Sequence, residues 1–137
     1  MKTLRSIMIL GLVLLLAAPA LGGVIGKDDQ EIKAAADPIL DNLLAGMNEG
    51  NYQKYARDFD DTLKDAIPEN KFAQTRTQIL GKLGKYQSRA FLGALQQNNM
   101  SVVLWKGKFE KSDSDILIKL VVSKRQDKIV VTGLWFQ

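Results

Sequence analysis

Apolar residues recur at three- and four-residue steps up to Tyr86 and at two-residue steps beyond it, with short polar connections between the later runs. These observations predict an α+β domain: N-terminal helices packed on one face of a curved four-stranded antiparallel sheet. The 137 residues suffice for one such domain and not two. A hydrophobic content of 46% with 25% charged residues excludes wholesale disorder and a polytopic membrane protein.

The elements follow in order. Lys2 and Arg5 precede the uncharged run Ile7–Ala18, and Ala18-Pro19-Ala20 supplies small residues for cleavage after Ala20. Residues 1–20 therefore read as a signal peptide, its apolar run too short to span a bilayer comfortably. This predicts export by the general secretory route to the periplasm or outside the cell, with no stable membrane anchor after cleavage. Residues 21–30, glycine-rich and then charged, read as a flexible stem to a domain at 31–137.

A first helix is expected over Glu31–Asn48, with Ile32, Ala35, Ile39, Leu43 and Met47 along its apolar stripe. Asp37-Pro38 leaves two readings: one kinked helix, or a start at Pro38 with Asp37 as N-cap. Glu49-Gly50-Asn51 ends it. A second helix is expected from Tyr52 to about Phe59, and Thr62–Ile67 is ambiguous. Pro68-Glu69 opens a third helix, with Phe72, Ile79, Leu80 and Leu83 as its buried stripe and Gly84 as its stop.

Strands are expected over 87–96, 100–110, 115–123 and 128–136. The connections Gln97-Asn98-Asn99, Lys111–Ser114 and Lys124–Asp127 suit consecutive hairpins. Gly93, Gly107 and Gly133 interrupt strands and read as bulge or bend positions. In the last strand, alternation groups Ile129, Val131 and Trp135 on one face and Val130, Leu134 and Phe136 on the other. Apolar residues on both faces of the last two strands point to a covered outer face, with a homodimer as the simplest cover.

The inventory narrows the chemistry. With no Cys and no His, thiolate nucleophiles, disulfides, Cys/His zinc sites and Ser-His-Asp triads are excluded. No phosphate-binding loop, dinucleotide fingerprint or calcium loop occurs, so no cofactor and no metal are expected. Loss of residues 1–20 lowers the net charge from +4 to +2. Residues 27–85 carry −2 and residues 86–137 carry +4, too sparse a field to predict nucleic-acid binding.

The order of elements resembles the nuclear transport factor 2-like superfamily over about Glu31–Gln137. The resemblance rests on Gly50-Asn51-Tyr52, Phe59-Asp60 with Leu63-Lys64, Leu83-Gly84-Lys85-Tyr86, and the closing Ile129 through Gly133-Leu134-Trp135-Phe136. It looks like a bacterial and archaeal subgroup of unknown function, and it implies a cone-shaped fold with a pocket between helices and sheet.

Tyr55, Phe59, Phe91, Trp105 and Trp135 are the candidate ligand-lining residues in such a pocket, which is mainly apolar. The reading is an exported, non-catalytic domain that binds a small apolar ligand or a protein partner and self-associates. The alternative is a cofactor-free isomerase, dehydratase or hydrolase with Asp60 as base and Tyr55 as donor, drawn from the set Tyr52, Tyr55, Asp58, Asp60, Asp61 and Lys119.

Overall fold

A computed structural model describes residues 22–137. The segment expected to be a signal peptide, residues 1–20, lies outside the described residues. Four helices precede the sheet: α1 (Asp29–Glu49), α2 (Tyr52–Tyr55), α3 (Asp61–Ala66) and α4 (Glu69–Lys82). Strands β1 (Tyr86–Gln97), β2 (Met100–Phe109), β3 (Ile116–Arg125) and β4 (Lys128–Phe136) form one antiparallel, curved and unclosed sheet in the order β1-β2-β3-β4. Among the described residues, no helix is long and apolar enough to cross a membrane.

α1 runs unbroken through Pro38, so Asp37 is not its N-cap. That role belongs to Asp28, whose Oδ1 accepts from Glu31 N at 2.9 Å, while Glu31 Oε2 accepts from Lys27 N at 2.8 Å. Gly50, at φ 73, closes the other end in the left-handed conformation. Between these caps Ile32, Ala36, Leu40, Leu43, Leu44 and Met47 are buried. Opposite them lie Val103, Trp105, Ile118, Leu120, Val122 and Val131, all on the concave face of the sheet.

The second helix stops at Tyr55, four residues earlier than its aromatic spacing predicts. The next residues are recruited by the sheet: Val131 N donates to Asp58 O at 2.7 Å, and Asp60 N donates to Val131 O at 3.0 Å. This parallel bridge covers part of the free edge of β4 and pulls Phe59 out of helical geometry. The ambiguous stretch after it is a short helix, α3, so the described residues hold four helices where three were expected. Asp60 is its N-cap, accepting from Leu63 N at 2.8 Å.

The stem also differs from expectation. Gly23 and Lys124 exchange both backbone hydrogen bonds, at 2.9 and 2.7 Å. Ile25 N donates to Ser101 Oγ at 3.2 Å, and Gln96 Nε2 donates to Gly26 O at 2.9 Å. Gly23 thus adds a single bridge to β3, and Ile25 and Gly26 are tied to the adjoining ends of β2 and β1 by side chains.

Asn98 and Asn99, at φ 51 and 60, make a tight two-residue turn between β1 and β2. Pairing of β3 with β4 continues to Arg125 and Lys128, which narrows the expected four-residue connection to Gln126-Asp127. Register shifts fall between Phe91 and Gly93, and opposite Thr132 in β4. Gly107 sits in unbroken register between Arg89 and Ile116 and marks no bulge. The extra residue Thr132 reverses the alternation of β4. Ile129, Val131, Leu134 and Phe136 therefore face the core side, and Val130 and Trp135 face out, which corrects the grouping read from strict two-residue spacing.

α1 meets α2 at a position that tolerates no side chain. A Cβ on buried Gly46 would lie 2.5 Å from Tyr55 N and 2.8 Å from Tyr55 Cα. Gly46→Ala is expected to destabilise the domain by about 1–3 kcal/mol through overpacking. Urea unfolding followed by circular dichroism checks this, and an unshifted midpoint would show that α2 does not press on α1.

Candidate functional site

Two concavities bear on function, one polar and one apolar. The polar one forms where α1 crosses β1 and β2. Lys33, Asp37 and Asp41 lie at four-residue intervals on one face of α1. Asp37 is a node: its carboxylate accepts from Lys33 Nζ at 2.7 Å, Arg89 Nη2 at 3.0 Å and Trp105 Nε1 at 3.2 Å. Arg89 Nη1 reaches Asp41 Oδ1 at 2.7 Å and donates to Tyr86 OH at 3.0 Å. Its guanidinium also lies 5.7 Å from the Trp105 ring centroid. Burial pushes the Asp37 carboxyl upward, but the hydrogen bonds from Lys33 and Arg89 outweigh that and hold it below its ordinary value. Burial alone would lower Arg89; its bonds to Asp41, Tyr86 and Asp37 raise it instead.

A cavity of about 280 Å³ opens here, bounded by Lys33, Asp37, Tyr86, Arg89, Phe91 and Trp105. Two cations face two carboxylates, so the cluster is charge-balanced and each group is engaged. Chemically it is a clamp between helix and sheet rather than a reactive centre.

The apolar concavity forms because α4 does not continue the packing of α1. α4 is fastened near its start by buried Phe72 and at its middle by Arg76, which donates to Met47 O at 2.6 Å and Asn48 O at 2.8 Å at the end of α1. Its other end is held where Lys111 N donates to Leu83 O at 2.8 Å. Between these fastenings α4 makes no extended packing with any strand. Ile79, Leu80 and Leu83, expected as a buried stripe, are only half-buried. A cleft of about 530 Å³ separates α4 from the sheet. Ile79 and Leu83 line it on the helix side, and Ile116, Leu134 and Phe136 on the sheet side. Thr75, Gln78 and Lys82, also on α4, bring polar groups to its mouth.

The aromatic residues singled out from the sequence do not gather around one cavity. Tyr55 and Phe59 are core, packed with Phe72 at ring separations of 4.5 Å (Tyr55–Phe72) and 5.1 Å (Tyr55–Phe59). Phe91 and Trp105 border the polar cavity, and Trp135 borders the apolar cleft from the outer face. Burial, with Tyr52 nearby, pushes the Tyr55 phenol up to about 12, which keeps it protonated. Both Asp60 oxygens are engaged, Oδ1 by Leu63 N and Oδ2 by Arg125 Nη1 at 3.1 Å. Asp58 pairs with Arg57 at 3.0 Å, and Asp61 is exposed in the first turn of α3. Lys119 stacks over Trp135, 5.0 Å from its ring centroid, on the outer face. Among the described residues no group of carboxylates could hold a metal ion.

Over residues 41–130 the chain matches the family described as Protein of unknown function (DUF3887), and it belongs to that family. No curated protein and no solved structure matches it.

The Asp37 node yields a pH test. A carboxyl held below its ordinary value of 3.8 stabilises the fold fully above that value and loses its contribution as pH falls through the lower, folded one. Asp37→Asn is expected to cost about 2 kcal/mol at neutral pH by leaving two buried donors poorly matched. Paired urea titrations of parent and variant should show a constant gap from pH 5 to pH 8 that closes only below pH ~4. A gap that is absent, or that closes near neutrality, would refute the assignment.

Proposed function

We propose that the domain is a nuclear transport factor 2-like binding module, exported and non-catalytic, that takes a small apolar ligand in the cleft between α4 and the ends of β3 and β4. The observation that carries the reading is the cleft itself, about 530 Å³ with an apolar floor and a polar helix-side mouth. Pockets for small molecules have this size and this balance of apolar wall to sparse polar groups. The wall that closes it, α4, is held at Phe72, Arg76 and Leu83 and packs only half-buried Ile79 and Leu83 towards the core, which suits a roof that moves to admit a ligand.

The chemistry of the cleft favours binding over catalysis. No Asp, Glu or Tyr borders the cleft among the described residues. Asp60, the candidate base, is occupied as a helix cap and by Arg125. Helices followed by a bent antiparallel sheet, with a cleft under α4, support the superfamily reading, and export is the reading that the leader-like segment supports.

The probe 1-anilinonaphthalene-8-sulfonate is expected to bind saturably at one site with enhanced emission. Ile79→Trp fills the cleft from a half-buried helix position and should weaken that binding by about tenfold or more while leaving the unfolding midpoint nearly unchanged. Equal probe affinity in both proteins would place the apolar site elsewhere.

A further inference from the structure

The outer face of the sheet combines cations and exposed apolar side chains, with few carboxylates at its border. No Asp or Glu occurs in any of the four strands. Alternation and register put Lys106, Lys108, Lys119 and Lys128 on the outer face. The acidic residues of this half lie in the connections, and one of them, Asp115, pairs with Lys108 at 2.7 Å. Ser88, Arg89, Ala90, Lys106, Lys108 and Asp115 border a depression of about 350 Å³ at the basic end of this face.

The apolar part is as concentrated as the charge. Leu95 is 48% exposed and Trp135 46%, both on this face, and Leu92, the bulge residue of edge strand β1, is 54% exposed. A Cβ at Gly133 would run into the Trp135 ring, so the indole lies back along β4 over the glycine, with Lys119 above it. Leu104 and Leu117 continue the apolar surface between Trp135 and the lysines. Tryptophan and lysine around an aliphatic centre is the pattern of surfaces that rest at a membrane–water boundary.

Charge decides between occupants. In a two-fold pairing of this face with itself, Lys106 and Lys119 of one copy would face strands that offer no carboxylate, and the bordering Asp115 is already paired with Lys108, so like charges meet. An anionic lipid surface supplies the missing negative charge and an apolar layer beneath it. We propose that the outer face of the β-sheet is a peripheral docking surface for anionic phospholipid headgroups, with the lysines on phosphates and Trp135 and Leu95 at the acyl boundary.

The test uses the full chain with phosphatidylcholine vesicles and with mixed phosphatidylcholine–phosphatidylglycerol vesicles. Trp105 is only 1% exposed, so the vesicle-dependent emission belongs to Trp135, and Trp135→Phe should abolish it. With the anionic vesicles, Trp135 emission is expected to shift to the blue and to be quenched by brominated acyl chains; with the zwitterionic ones it should change little. Lys106→Glu with Lys108→Glu should lower the partition coefficient on the order of thirtyfold. Both positions are exposed, and circular dichroism with the milder Lys→Gln pair guards against a folding artefact. Because quenching is read at Trp135, insertion of the N-terminal apolar run alone cannot produce the signal. Equal quenching in both vesicle types, or no effect of the lysine replacements, overturns the proposal. A Trp135 shift that follows protein concentration without vesicles assigns the face to a second copy and overturns it too.

Discussion

The fold depends on the burial of one helix stripe against one sheet face. α1 sets six apolar side chains into the concave side of β2, β3 and β4, and the largest fully buried residues of the domain lie along that contact. Burial of this kind is strong but indifferent to small slides, since aliphatic surface has no preferred partner. The Asp37 node removes that freedom. Its carboxylate is satisfied only where Lys33, Arg89 and the Trp105 indole converge, so a slide of one turn would leave a buried charge without its donors. Asn48, further along the same helix, exchanges two hydrogen bonds of 3.1 Å with the Tyr86 backbone and sets where β1 begins.

With α1 fixed, the remaining features follow as consequences of where it ends. It closes at Gly50, and Arg76 of α4 is tied to its last carbonyls. α4 therefore roofs the end of the sheet that α1 does not reach, and the space below becomes the cleft. The two sheet faces then carry different tasks. The concave side spends its apolar residues on the core and the cleft wall, while the outer side carries the lysines with Leu95 and Trp135.

How much of this was legible in the sequence depended on how local the deciding interaction is. The change of periodicity near Tyr86 and the polar turns gave four antiparallel strands in the right order, because two-residue spacing and turn chemistry act within a few residues. The early end of α2 was not legible, since its cause is the pairing of Phe59 with Val131, far along the chain. Trp135 was assigned to the wrong face because Thr132 is inserted in the register of β4, and one extra residue inverts every position after it. The Asp37 node left a trace: an acidic residue before an in-helix proline, four residues after a lysine and four before another aspartate. Its partners Arg89 and Trp105 are 52 and 68 positions away, beyond the reach of any spacing rule. The candidate aromatics read as the lining of one apolar pocket, whereas the cleft takes its apolar wall from Ile79, Leu83, Ile116, Leu134 and Phe136 at the seam of two elements, and of the candidates Trp135 alone borders it.

The central claim is that α1 and the strands beneath it form one cooperative unit while α4 is a separately opening roof. Hydrogen–deuterium exchange of the full chain, read by peptide mass spectrometry, tests it directly. Peptides from α1, β2 and β3 should exchange most slowly and with a common opening free energy, and those covering Thr75–Lys82 should exchange well before them. If α4 is protected as long as β3, or if α1 opens before the sheet does, the account is wrong.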